Sequence, residues 1–187
     1  MDSRTSDAAS LQEISADFVA SKTSRNEARA AVIQVIFDRI HCSRVSLWRF
    51  EGEPGALRLL CFASQAAGDE LDTEERRLTA AEYRDYFNEL INTGMYVSHD
   101  AWADPRLQPM RQNYLVPNHV MAMLDATFLV NGRAYGMVCC EQTDALRNWT
   151  ASEVVAVRAI VSKLALLMAG ADDAALWGSP SVPMAPL

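Results

Sequence analysis

Apolar residues recur at helical spacing at Leu11, Ile14, Phe18 and Val19, which predicts a short amphipathic helix over residues 10–22. A second helical pattern covers residues 24–41. There Ala28, Val32, Ile33, Val35, Ile36 and Ile40 make an apolar face wider than a monomer's surface helix needs, and that width predicts a partner. Residues 44–50 and 56–64 are β-rich and flank Glu51-Gly52-Glu53-Pro54-Gly55, so they read as a hairpin. The acidic stretch 67–77 reads as a solvated loop. Thr79 and Glu82 have capping-box spacing and predict a helix that ends near Thr93-Gly94, with Tyr83, Tyr86, Phe87, Leu90 and Ile91 turned inward. A short strand follows at 95–98, then an irregular polar segment at 99–118 holding Pro105, Pro109 and Pro117. Residues 120–130 and 133–141 flank Asn131-Gly132, the dipeptide suited to a type I′ turn. Past a loop at 142–149, Thr150 and Glu153 repeat the capping-box spacing and open a long helix to about Ala169, apolar at Val154, Val155, Ile160, Val161, Leu164 and Leu167. The last ten residues, GSPSVPMAPL, hold too much proline to pack and predict a disordered tail.

This order predicts an α+β fold, an antiparallel sheet with helices on its faces, and excludes a parallel nucleotide-binding fold. Composition narrows the partners. With 17 Lys and Arg against 24 Asp and Glu, the 187-residue chain carries a formal net charge of −7, which argues against nucleic acid and anionic membrane surfaces. The N-terminus lacks the basic start and apolar core of a secretory signal, and no apolar run approaches the span of a bilayer, so the expected location is cytoplasmic. Cys42, Cys61, Cys139 and Cys140 show neither a CxxC pair nor zinc-ligand spacing and read as reduced core thiols. His41, His99 and His119 stand far apart, so no metal is expected. There is no GxSxG elbow, no telling Cys-His pair and no phosphate-cradling loop, which points away from catalysis.

Within residues 99–118, Asp100 and Asp104 read first as braces that bond the loop's own backbone. Pro105 would present Arg106 reproducibly to an acidic ligand, to Asp100 or to Asp125. Trp102 reads as a loop anchor or a binding residue, while Trp48 and Trp149 read as core. Asp125 is the least expected residue, since a carboxylate inside an apolar strand must be paired or hydrogen-bonded. Counting back from a two-residue turn puts Asp125 opposite Val138 and Met123 opposite Cys140, so that Met123, Asp125 and Cys140 share a face. A pocket floor and a structural brace both fit that placement. Cys139 and Cys140, being adjacent on a strand, point to opposite faces.

Several motifs then fall in order: Val45-Ser46-Leu47-Trp48, Tyr86-Phe87-x-x-Leu90, Asp100-x-x-x-Asp104-Pro105-Arg106, Tyr114-Leu115, Met123-Leu124-Asp125-Ala126, Gly132, Gly136-x-x-Cys139-x-Glu141 and Arg147-x-Trp149-Thr150-x-x-Glu153. Over residues 25–167 the chain resembles a GAF domain, of the subgroup found in bacterial sensor kinases and diguanylate cyclases. It departs from that pattern at His119, Thr127, Cys140 and Gln142. The resemblance implies a central antiparallel sheet of about six strands with helices on both faces, a GAF domain at 24–170 behind a helical extension at 1–23, and a tail at 171–187. It implies a sensory module that binds a small molecule or a partner protein, signals through a helical homodimer interface and acts on a separate effector protein; no cofactor is specified. If that architecture holds, the binding site joins Asp100, Trp102, Arg106 and Tyr114 to Met123, Asp125 and Cys140. The alternatives are a ligand-free dimerisation or docking module, a free methionine sulfoxide reductase and a bilin photoreceptor; the last two need accessible cysteines.

Overall fold

Local chemistry accounts for most element boundaries. The computed structural model describes residues 3–53, 55–170 and 174–178. Helix α1 (Ser3–Val19) is followed by α2 (Arg25–Ile40), where Ser24 accepts from the Glu27 N–H and Glu27 accepts from the Ser24 N–H. Strands β1 (Arg44–Glu51) and β2 (Arg58–Ala66) form a hairpin, then come β3 (Arg76–Thr79), helix α3 (Arg84–Thr93) and β4 (Met95–Ser98). A 3₁₀ helix, Pro105–Met110, runs into a π-helical turn, Arg111–Leu115. The long strands β5 (Val120–Val130) and β6 (Arg133–Thr143) are joined at Asn131 and Gly132, with φ of 52° and 75°. Both angles are positive, as a type I′ turn demands. Helix α4 (Ala151–Met168) opens on the Thr150–Glu153 capping box, and α5 (Ala174–Trp177) follows it.

The strands make one antiparallel sheet in the order β3-β2-β1-β6-β5-β4. Helices α1, α2, α4 and α5 share one core with one face, here the α4 face. Helix α3 and residues 105–115 cover the other, here the α3 face. The fold is thus the α+β sandwich read from the sequence.

Four expectations change. The apolar width of α2 and α4 is covered within the chain: α1 packs across both, and Ile36 and Leu164 are fully buried. The stretch 67–77 is not all loop, because Arg76 and Arg77 begin β3, a charged edge strand whose identity comes from pairing with β2. Thr79 and Glu82 do bond each other, yet they close a turn, and α3 starts only at Arg84. Finally, residues 174–177, placed in the tail by the sequence, form α5, where Trp177 is fully buried. Its indole N–H donates to the Trp48 carbonyl at 2.8 Å, and its ring meets Phe62 and Phe128 edge-on at 5.1 Å each. The remaining tail expectation, disorder at 171–173 and 179–187, lies outside the described residues.

Candidate functional site

The site is built on the β5–β6 hairpin, whose register departs from simple counting close to the turn. Leu129 pairs with Ala134, but Phe128 pairs with Gly136, so β6 carries one extra residue at Tyr135. Such a bulge exchanges the faces of every residue beyond it. Asp125 therefore stands opposite Cys139, and Met123 opposite Glu141. This corrects the expected floor: Met123 and Asp125 lie on the α3 face, whereas Cys140 lies on the α4 face with Val138 and is not part of the site. Cys139 and Glu141 take its place.

Two carboxylates, Asp125 and Glu141, are fully buried on this floor. Burying a charge is costly unless it is paired, and the two solve the problem differently. Glu141 is held by an ion pair with the Arg44 guanidinium and by the Tyr114 hydroxyl, which donates to its Oε1 at 2.6 Å. Arg44 also reaches Asn118 Oδ1 at 3.4 Å and lies 5.9 Å from the Tyr114 ring centre. Asp125 has no cation among the described residues. Its Oδ2 accepts from the Tyr86 hydroxyl at 2.7 Å, and the Cys139 thiol is its other, weaker donor. Burial pushes the Asp125 carboxyl up to about 7, against the smaller opposing influence of the Cys139 thiol and the Tyr86 hydroxyl. The same burial, reinforced by the neighbouring carboxylate, holds Tyr86 and Tyr114 protonated far above the usual phenol range, so both act as donors.

Residues 99–115 form the cover. Asp100 accepts from the backbone N–H of Trp102 and Ala103 at 3.1 Å each, and Asp104 accepts from the Arg106 N–H at 3.0 Å and the Tyr96 hydroxyl at 2.9 Å. Both are loop braces. Arg106 does not reach Asp125; it pairs with Glu89 at 3.0 Å, lies 3.7 Å from Asp104 and sits 5.1 Å from the Tyr96 ring centre. Trp102 and Tyr114 are partly buried against the α3-face core, and Arg111 stands over the Trp102 ring. The structure thus joins Met123, Asp125, Tyr114 and Trp102, leaves Asp100 and Arg106 at the rim as parts of the cover, and excludes Cys140. The sequence reading missed Tyr86, Tyr96, Glu141, Cys139 and Arg44 as site residues. Glu141, Cys139 and Tyr86 were legible in the motifs carrying the GAF resemblance, while nothing in the sequence singles out Arg44.

The family model for the GAF domain matches residues 24–168. The chain belongs to the GAF family. Among solved structures this GAF domain is similar to the phycoerythrobilin-bound GAF domain of a cyanobacterial phytochrome, at 14% identity and a TM-score of 0.68 over 94% of this chain and 97% of that one. It is also similar to the phycocyanobilin-bound GAF domain of a cyanobacterial phytochrome, at 14% identity and 0.66 over 90% and 94%. The chromophore-binding domain of Stigmatella aurantiaca phytochrome P1 matches at 15% identity and 0.62, over 88% of this chain and 60% of that one. At such identities the likeness establishes the fold. No curated protein matches the sequence.

The four cysteines of this GAF domain are all buried, Cys61 and Cys139 on the α3 face and Cys42 and Cys140 on the α4 face. Burial pushes the Cys61 thiol up to about 12 and the Cys139 thiol well above its usual range. Among the described residues no group of three or more His, Cys, Asp or Glu side chains is arranged to hold a metal, and no helix is long and apolar enough to cross a membrane.

Proposed function

We propose that this GAF domain is a non-catalytic sensory module that takes a small molecule between its sheet and the cover formed by α3 and residues 99–115. The carrying observation is Asp125, a fully buried carboxylate in mid-strand with no cation among the described residues and only the Tyr86 hydroxyl and the Cys139 thiol as donors. Such a group costs stability, and a binding role is the reason to keep it. The cover is fastened to the floor by two phenol hydroxyls, Tyr114 on Glu141 and Tyr96 on Asp104, and its 3₁₀ and π turns are geometries often found at functional positions. Strands β5 and β6 face both layers: Asp125 and Cys139 line the site, while Leu124, Ala126, Val138 and Cys140 pack beneath α2 and α4. A ligand that favours one arrangement of these strands would bias the helical layer above them.

That layer supports a homodimer, now through residues other than Ile36 and Leu164. On α4, Val155 and Leu166 are 49% and 72% exposed, and with Ala159 and Ser162 between them they follow a four-three-four spacing, the seam of paired helices. The bilins named for the solved relatives are a ligand class to test here, although four buried cysteines offer no accessible thiol for covalent attachment, and the same burial speaks against a sulfoxide reductase. The rival reading, a ligand-free dimerisation module, has one observation in its favour: both oxygens of Glu141 are satisfied by the chain's own Arg44 and Tyr114. Native mass spectrometry of protein purified from cells decides. A dimer carrying a retained small molecule supports the sensory reading, a bare dimer supports the rival, and visible colour indicates a bilin.

A further inference from the structure

We propose that Arg29 and Arg49 form a second binding site, on the α4 face, that takes a phosphate group and thereby fastens α5 to the sheet. The inference stands apart from the sensory reading, because its residues lie on the opposite side of the sheet. It starts from a buried charge. Arg29, on α2, is 8% exposed; its Nε donates to the Leu176 carbonyl of α5 at 3.0 Å, and its guanidinium lies 4.4 Å from the Phe62 ring centre. A cation buried this far is ordinarily paired with a carboxylate. Among the described residues Arg29 has none. Burial, then Arg25 one turn earlier on α2 and Arg49 on β1, push its guanidinium down to about 10. Arg49 in turn has a single counter-charge, Glu51 Oε1 at 2.9 Å. Three guanidiniums thus share one carboxylate in a chain whose net charge is −7.

The geometry says what would balance them. A Cβ on Gly178 would stand 2.8 Å from Arg49 Nη1 and 4.0 Å from Arg29 Nη2, so terminal nitrogens of both forks face the same side of Gly178, with no side chain there to separate them. Tyr135 adds a third donor. Its hydroxyl is buried and has no partner among the described residues, and burial keeps it protonated although Arg49 acts against that. Two planar N–H forks and a hydroxyl suit an acceptor with several oxygens, and guanidinium–phosphate bonds are charge-assisted and bidentate. Charge decides between the oxyanions: Arg25, Arg29 and Arg49 exceed Glu51 by two, which a phosphate dianion matches and a carboxylate only halves. Because Arg29 also holds Leu176, a phosphate bound there ties α2 and β1 to the segment carrying Trp177.

The probe is inorganic phosphate, titrated calorimetrically into the full chain at neutral pH and constant ionic strength, with acetate and phenyl phosphate alongside. Phosphate should bind saturably and slow amide exchange over residues 174–178, and acetate should do neither. Tighter binding of phenyl phosphate assigns the site to a phosphate ester, and equal or weaker binding assigns it to the free anion. Arg29→Lys, which keeps the charge and loses the fork, should weaken phosphate at least about tenfold. No saturable phosphate binding, equal binding of acetate, unchanged exchange over 174–178 or an unchanged affinity in Arg29→Lys overturns the proposal. If Arg29→Lys does not fold, Tyr135→Phe takes its place: it removes only an unpartnered hydroxyl, so it should fold as wild type does and bind phosphate about threefold more weakly, and an unchanged affinity overturns the proposal. Phosphate binding that appears only in the double variant Asp172→Asn, Asp173→Asn overturns it as well, because the chain's own carboxylates are then the occupants.

Discussion

Replacing Asp125 by Asn should change how stability depends on pH. In the unfolded chain this carboxyl ionises near 3.8, and in the folded chain burial beside Tyr86, Tyr96 and Cys139 holds its proton up to about 7. Between those values the folded state binds more protons than the unfolded state. The contribution of Asp125 to stability is therefore complete below about pH 4 and is lost as pH rises through 7. At about 1.4 kcal/mol per pH unit, the interval corresponds to a loss on the order of 4 kcal/mol. Asparagine cannot ionise, so this slope disappears. It keeps an oxygen to accept from Tyr86 but brings two N–H donors into a site that offers them few acceptors, at a cost of about 1–3 kcal/mol. Between pH 5 and pH 8 the variant should then gain on wild type by about 3 kcal/mol, and at pH 8 it should be the more stable of the two. Urea unfolding followed by circular dichroism at pH 5, 6, 7 and 8 measures this, and subtracting the two curves cancels the other titrating groups. Parallel curves would refute the reasoning, because Asp125 would then be ionised throughout and held by a positive group that the charge balance above leaves out.

Gly136→Ala should destabilise the protein by about 1–3 kcal/mol in chemical denaturation and alter Trp177 fluorescence, since a Cβ there would fall 2.4 Å from Phe128 and 2.5 Å from Trp177. The double substitution Val155→Glu with Leu166→Glu should convert a dimer to a monomer by light scattering at micromolar concentration while leaving the circular dichroism intact; a monomeric wild type refutes the dimer. Ile36→Glu should unfold the chain, because it puts a charge at a fully buried position. A thiol reagent should label fewer than two cysteines within minutes in native buffer and all four in denaturant, as burial of all four thiols requires.

Where a signal is local, this sequence determined the outcome by itself. The Asn131-Gly132 turn, the Thr150–Glu153 cap, the strand Met95–Ser98 and the face periodicity of α2 each depend on residues within a turn or two of one another, and each stands as the sequence implies. The ordered motifs likewise carried the family, and with it the fold. Which residues meet in the site was decided by the tertiary structure. A single extra residue at Tyr135 reversed the faces of β6, sending Cys140 beneath α4 and bringing Glu141 beside Met123. Counting along a hairpin presumes an unbroken ladder, and a strand's period of two turns one inserted residue into a complete exchange of sides. The same holds for contacts between distant segments: Arg44 reaches Glu141 across 97 residues, and Trp177 reaches Trp48 across 129. Neither pairing is specified by neighbours in sequence. Arg44 and Trp177 take those positions because packing the two layers leaves a buried carboxylate in need of a counter-charge and a space over Gly136 that the Phe128 and Trp177 rings fill.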